Sequence, residues 1–91
     1  MSDAVILFDQ MLELLAQRCR VHFKTYREPA SAVFARGGMQ ASARVVKNGL
    51  IQVAYESEPH KRVLEECGIE QAAALLSEVL SRKRLYRVTM P

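Results

Sequence analysis

A chain of 91 residues that is 49% apolar and 25% charged has the make-up of one globular core, so residues 1–91 are read as a single domain. The N-terminal apolar run, Ala4 to Phe8, is far shorter than the ~20 residues of a membrane span, and no cation precedes Arg18 to start a secretory signal. Two cysteines do not make a disulfide framework, and free thiols in a cytoplasmic protein are the simpler expectation.

The net charge of +3 is unevenly distributed. Residues 1–17 sum to −3, residues 18–48 to +6, residues 49–81 to −4 and residues 82–91 to +4. Basic charge therefore comes in two blocks with an acidic block between them.

Taken in order, the first element is a helix. Ser2 suits its N-cap and Asp3 its first turn, where a carboxylate meets the positive end of the helix dipole. Asp9, Glu13, Gln17 and Arg20 draw one polar face, and the remainder, from Val5 to Cys19, is apolar. That stripe is wider than one sheet contact requires, so a second surface, another helix or another subunit, is expected against it.

From Arg20 the period changes to two. Val21, Phe23 and Thr25 alternate with Arg20, His22 and Lys24, as in a half-buried strand. Arg27-Glu28-Pro29-Ala30 is a turn, Ser31 to Arg36 a short strand, and Gly37-Gly38 a second break. Met39 to Lys47 and Leu50 to Glu56 flank Asn48-Gly49, a strong hairpin signal. A two-residue turn there would set Val46 opposite Ile51 and Val45 opposite Gln52. Ala41, Ala43, Val45, Leu50, Gln52 and Ala54 would then share the alanine-rich face that a helix can approach. Ser42, Arg44, Val46, Ile51, Val53 and Tyr55 would form the other face, covered by a partner or partly exposed.

Pro59 fits the first position of a short helix to Cys67, closed by Gly68. Ile69 to about Arg84 reads as the last long helix, with Ile69, Ala72, Ala73, Leu76, Val79 and Leu80 on one stripe. Leu85 to Met90 alternates as a final strand. The expected order is α-β-β-β-β-α-α-β. The class is α+β: an antiparallel sheet of four to five strands, with an N-terminal helix and one or two C-terminal helices packed on one face.

The chain's two cysteines and two histidines, Cys19, His22, His60 and Cys67, make a Cys₂His₂ inventory for tetrahedral zinc. Buried thiols and a surface imidazole explain the same residues with less, so no metal and no cofactor are expected. The basic blocks offer a surface for anions: Arg18, Arg20, Lys24 and Arg27 in the first, Arg82, Lys83, Arg84 and Arg87 in the second. Tyr26 or Tyr86 would stack on an unpaired base. The plainer account is that Arg18 and Arg20, like Arg82 to Arg84, end helices whose negative poles they offset.

Catalysis has little support. No Gly-rich phosphate loop precedes a helix, no Gly-x-Ser-x-Gly elbow occurs, and no small-molecule substrate suggests itself. No motif ties the chain to a family. The reading is a small non-enzymatic interaction protein, a homodimer or a protein's partner, that binds another macromolecule through an apolar surface and its basic patches. A nucleic-acid-binding protein using the same cations is the alternative, and a zinc-stabilised domain the third.

Overall fold

Helix α1 (Asp3–Arg18) forms because its apolar residues recur at helical spacing, and Phe8, Met11 and Leu15 bury one face of it completely. The computed structural model describes residues 3–21, 23–28, 30–46, 49–58 and 61–82. Ser2 and the segment from Leu85 to Met90 lie outside the described residues. After α1 come strands β1 (Phe23–Glu28), β2 (Ser31–Arg36), β3 (Met39–Val45), β4 (Ile51–Glu58) and β5 (Lys61–Cys67), then helix α2 (Ile69–Leu80). The strands lie in sequence order in one antiparallel sheet, with β1 and β5 at its edges. This is the α+β class expected, a helix, a sheet and a helix, with both helices against one sheet face.

The over-wide stripe of α1 has its explanation in α2, which packs beside it on the sheet. Leu7, Leu12 and Leu14 are only partly buried but border the shared core. In α2 the buried positions are Ala72, Ala73, Leu76, Val79 and Leu80, the stripe read from the sequence. The two alanines let the helix approach the sheet closely. The helix stops at Ser81, its C-cap, whose backbone N–H still reaches the Ser77 and Glu78 carbonyls at 3.1 and 3.2 Å.

Two local expectations are corrected. The segment proposed as a short helix ending at Cys67 is strand β5. So short a helix is marginal by itself, whereas pairing with β4 satisfies backbone groups that would otherwise line an open edge. The alternation of Val63, Glu65 and Cys67 with Arg62, Leu64 and Glu66 is the strand period, and exposed charge is usual on an edge strand. Gly68 is accordingly the N-cap of α2, in extended conformation, not the end of a preceding helix.

The second correction is the register of the β3–β4 hairpin. The Val46 N–H donates to the Leu50 carbonyl at 2.8 Å, and Val45 stands opposite Ile51, so the connection encloses three residues rather than two. Gly49, the last of the three, has a φ of +71°, the left-handed residue that closes a three-residue hairpin loop. One added residue moves every β4 side chain to the opposite face relative to β3. Ala41 and Ala43 do lie beneath the helices, as expected, but their companions are Ile51 and Val53 instead of Gln52 and Ala54. Gly37 and Gly38, with φ of +58° and +85°, make the β2–β3 turn in the primed sense that matches strand twist.

The core lies between the helices and this sheet face: Phe8, Met11 and Leu15 from α1, Ala32 and Phe34 from β2, Met39, Ala41 and Ala43 from β3, Ile51 and Val53 from β4, and the α2 stripe.

Candidate functional site

The register sorts the remaining strand residues onto the face that neither helix covers. Three rows cross it. Ser31, Arg44, Gln52 and Glu66 stand side by side in the first. Val33, Ser42, Ala54 and Leu64 form the middle row, and Ala35, Gln40, Glu56 and Arg62 the third. Among the described side chains the middle row is apolar but for the Ser42 hydroxyl, and Leu64 is 57% exposed in it. The outer rows carry charge: Arg44, Glu66, Glu56 and Arg62 are all exposed. The Arg44 Nε donates to the Gln52 Oε1 at 3.2 Å across the first row. A shallow trough runs over Ser42, Ala54 and Leu64, with Arg44 and Arg62 on its rim.

The basic residues named from the sequence are brought partly together. β1 begins at Phe23, opposite Ala35 and next to the β2–β3 turn, so the C-terminal end of α1 lies at that end of the sheet. α2 ends there too, since the Arg36 Nη1 donates to the Ser81 Oγ at 3.1 Å and Arg82 lies over the Tyr55 ring, 5.5 Å from its centroid. Both helices thus point their negative poles at one end of the molecule, and Arg18, Arg20, Arg36 and Arg82 gather around it. Arg18 and Arg20 are exposed and pair with no described carboxylate. Arg82 is already engaged, with the Glu78 Oε1 at 2.5 Å in the turn before it. Lys83, Arg84 and Arg87 lie outside the described residues, as do the side chains of Lys24 and Arg27.

At the same end a polar cluster ties β4, β5 and α2. The Tyr55 hydroxyl donates to the Glu65 Oε2 at 2.9 Å, and Arg82 stacks on the other side of the ring. Partial burial pushes the Tyr55 phenol above its ordinary range, and the hydrogen bond and charge of Glu65 push the same way against the opposing pull of Arg82. This fixes the end of α2 on the sheet.

The cysteines are placed apart. Cys67 stands opposite Ile51, whereas Cys19 lines a cleft with Leu12, Val21 and Phe34, near the other end of the sheet. Phe34 and Ile51 differ by four residue steps along the strands, ~13 Å, which no single metal spans. His22 and His60 lie outside the described residues, and no group of three metal-ligating side chains occurs among the described ones. Burial, and after it the Glu65 carboxylate, pushes the Cys67 thiol up, so it is held protonated rather than poised as a thiolate. A raised folded-state pKa means that the neutral thiol's contribution to stability is complete below the unfolded thiol's pKa and is lost as pH rises through the folded one. In a Cys19→Ser background, alkylation of Cys67 by iodoacetamide is expected to accelerate at a higher pH in the native protein than in denaturant. Coincident native and denatured profiles would refute that.

No family model, no curated protein and no solved structure matches this chain. No described helix is long and apolar enough to cross a membrane.

The open-face residues Arg62, Leu64, Glu66 and Gln52 were not among the candidates drawn from the sequence. The signal that would have found them is the loop length at Asn48-Gly49. Three enclosed residues instead of two put Arg44, Gln52, Ala54 and Leu64 on one surface.

Proposed function

We propose that the protein is a small non-enzymatic interaction module of the cytoplasm, associating through the sheet face that neither described helix covers and engaging an anionic macromolecular partner with the arginines at the helix C-terminal end. The observation that carries this reading is the asymmetry of the sheet. Both helices lie on one face, while the other presents an exposed Leu64 and a half-buried Val33 on either side of the buried Ala54, in a single row framed by charges. An apolar strip with a charged frame is the usual layout of an association surface. Arg18 and Arg20, exposed and without carboxylate partners among the described residues, supply the positive field at the end of the same module.

The test is site-specific photo-crosslinking in cells. A photoreactive residue at position 64 is expected to trap polypeptide, either this chain or another. The same residue at the exposed, polar-face position of Glu13 traps little. Arg18→Glu/Arg20→Glu is expected to remove adducts to other chains without touching adducts to self. Absence of any adduct from position 64 would overturn the reading. Labelled oligonucleotide bound by the purified protein with a steep salt dependence, a slope of about −0.9 per phosphate contact on a duplex, would replace it with nucleic-acid binding.

A further inference from the structure

Resting on the reading of the open sheet face as an association surface, we infer that its occupant is a second copy of this chain, packed sheet to sheet about a two-fold axis running along the middle row. On β5 the charge reverses across that row. On β5, Glu66 lies one row above Leu64 and Arg62 one row below it. On β4, Gln52 lies above Ala54 and Glu56 below, and on β3, Arg44 lies above Ser42 and Gln40 below. A two-fold axis across the strands maps the upper row of one copy onto the lower row of the other and leaves the middle row on itself.

Each β5 then meets the β5 of the second copy, running the opposite way. Leu64 packs on Leu64 and Val33 on Val33, with the buried Ala54 between them. Glu66 faces Arg62 of the second copy, and the symmetry makes that pair twice. Gln52 faces Glu56, and Arg44 faces Gln40, so among the described side chains of β2 to β5 each charge meets its opposite or an amide. Strands aligned within about 30° are the common geometry of two packed sheets. An axis along the strands keeps each row facing itself, so Glu66 and Arg62 of the two copies never meet. The apolar strip and the charge pattern thus select the same operator.

Within one copy Glu66 and Arg62 are four residues apart on a strand, ~13 Å, too far to pair with each other. Any coupling between them is therefore between copies, and charge exchange tests it. Analytical ultracentrifugation of the full chain is expected to show a dimer at concentrations on the order of 10–100 μM. Leu64→Asp, at an exposed position that the fold does not need, is expected to weaken the dimer about 100-fold or more, since two leucines lose their cover at once. Arg62→Glu and Glu66→Arg are each expected to weaken it about tenfold, by setting two like pairs against each other. The double variant Arg62→Glu/Glu66→Arg restores both pairs with their signs exchanged, and is expected to return to within about threefold of the parent. Circular dichroism verifies that each variant is folded.

A parent chain that stays monomeric through this range overturns the inference, and so does a dimer indifferent to Leu64→Asp. Two weak single variants whose combination is weaker still overturn the axis assigned here. Position-64 adducts to other polypeptides from a chain that is monomeric when purified would leave the association reading standing and remove only the self-pairing. Absence of both removes the two together.

Discussion

Phe34→Ala is expected to destabilise the protein by about 3–5 kcal/mol. Phe34 is fully buried on β2, opposite Ala41 on β3, in the core shared by both helices. Three of its neighbours on the sheet face, Ala32, Ala41 and Ala43, are small, so much of the ring's volume stays empty once it is removed. The cavity left behind adds to the lost transfer free energy because strands held in register cannot collapse onto it. A chain of this length typically has ~5–14 kcal/mol of total stability, so the change consumes a large share of it. Guanidinium denaturation followed by circular dichroism measures this. Leu64→Ala, on the open face, is the control and is expected to shift stability by less than about 1 kcal/mol in the monomer. A loss below about 1.5 kcal/mol for Phe34→Ala would mean that the ring is not in the core described.

A pair of substitutions tests the hairpin register directly. Val53→Asp is expected to abolish folding, because it places a carboxylate at a site with no solvent exposure and no partner among core residues that are all apolar. Gln52→Asp, one residue earlier, is expected to cost about 1 kcal/mol or less, since Gln52 lies on the open face beside Arg44. A two-residue Asn48-Gly49 turn would invert this order, with Gln52 under the helices and Val53 outside. Thermal melts of the two variants therefore read which face of β4 is inside. Equal effects would indicate a sheet covered on both faces, which would also withdraw the association surface.

The fold class follows from local pattern because each long element announces its own period. α2 repeats Ala72, Ala73, Leu76, Val79 and Leu80 at helical spacing, and β2 and β3 alternate their buried residues. Gly37-Gly38 and Gly49 mark positions that need positive φ, a requirement of the backbone alone. These are short-range constraints, so a sequence carries them in the open. Of the first cationic block, Arg18 and Arg20 stand exposed.

What local pattern left undetermined depends on groups distant along the chain. Lys61–Cys67 holds charges that suit either an exposed helix or an edge strand, and the choice fell to the unpaired edge of β4, which only another strand satisfies. Whether Asn48-Gly49 closes a loop of two or three residues depends on which face of β4 the helices cover. Ile51 and Val53 outweigh Gln52 and Ala54 in that competition. The gathering of Arg18, Arg20, Arg36 and Arg82 at one end follows from both helices finishing there, a matter of connection and not of composition. A side chain's type is written in the chain, but its neighbours across a sheet are set by pairing free energies summed over the whole domain.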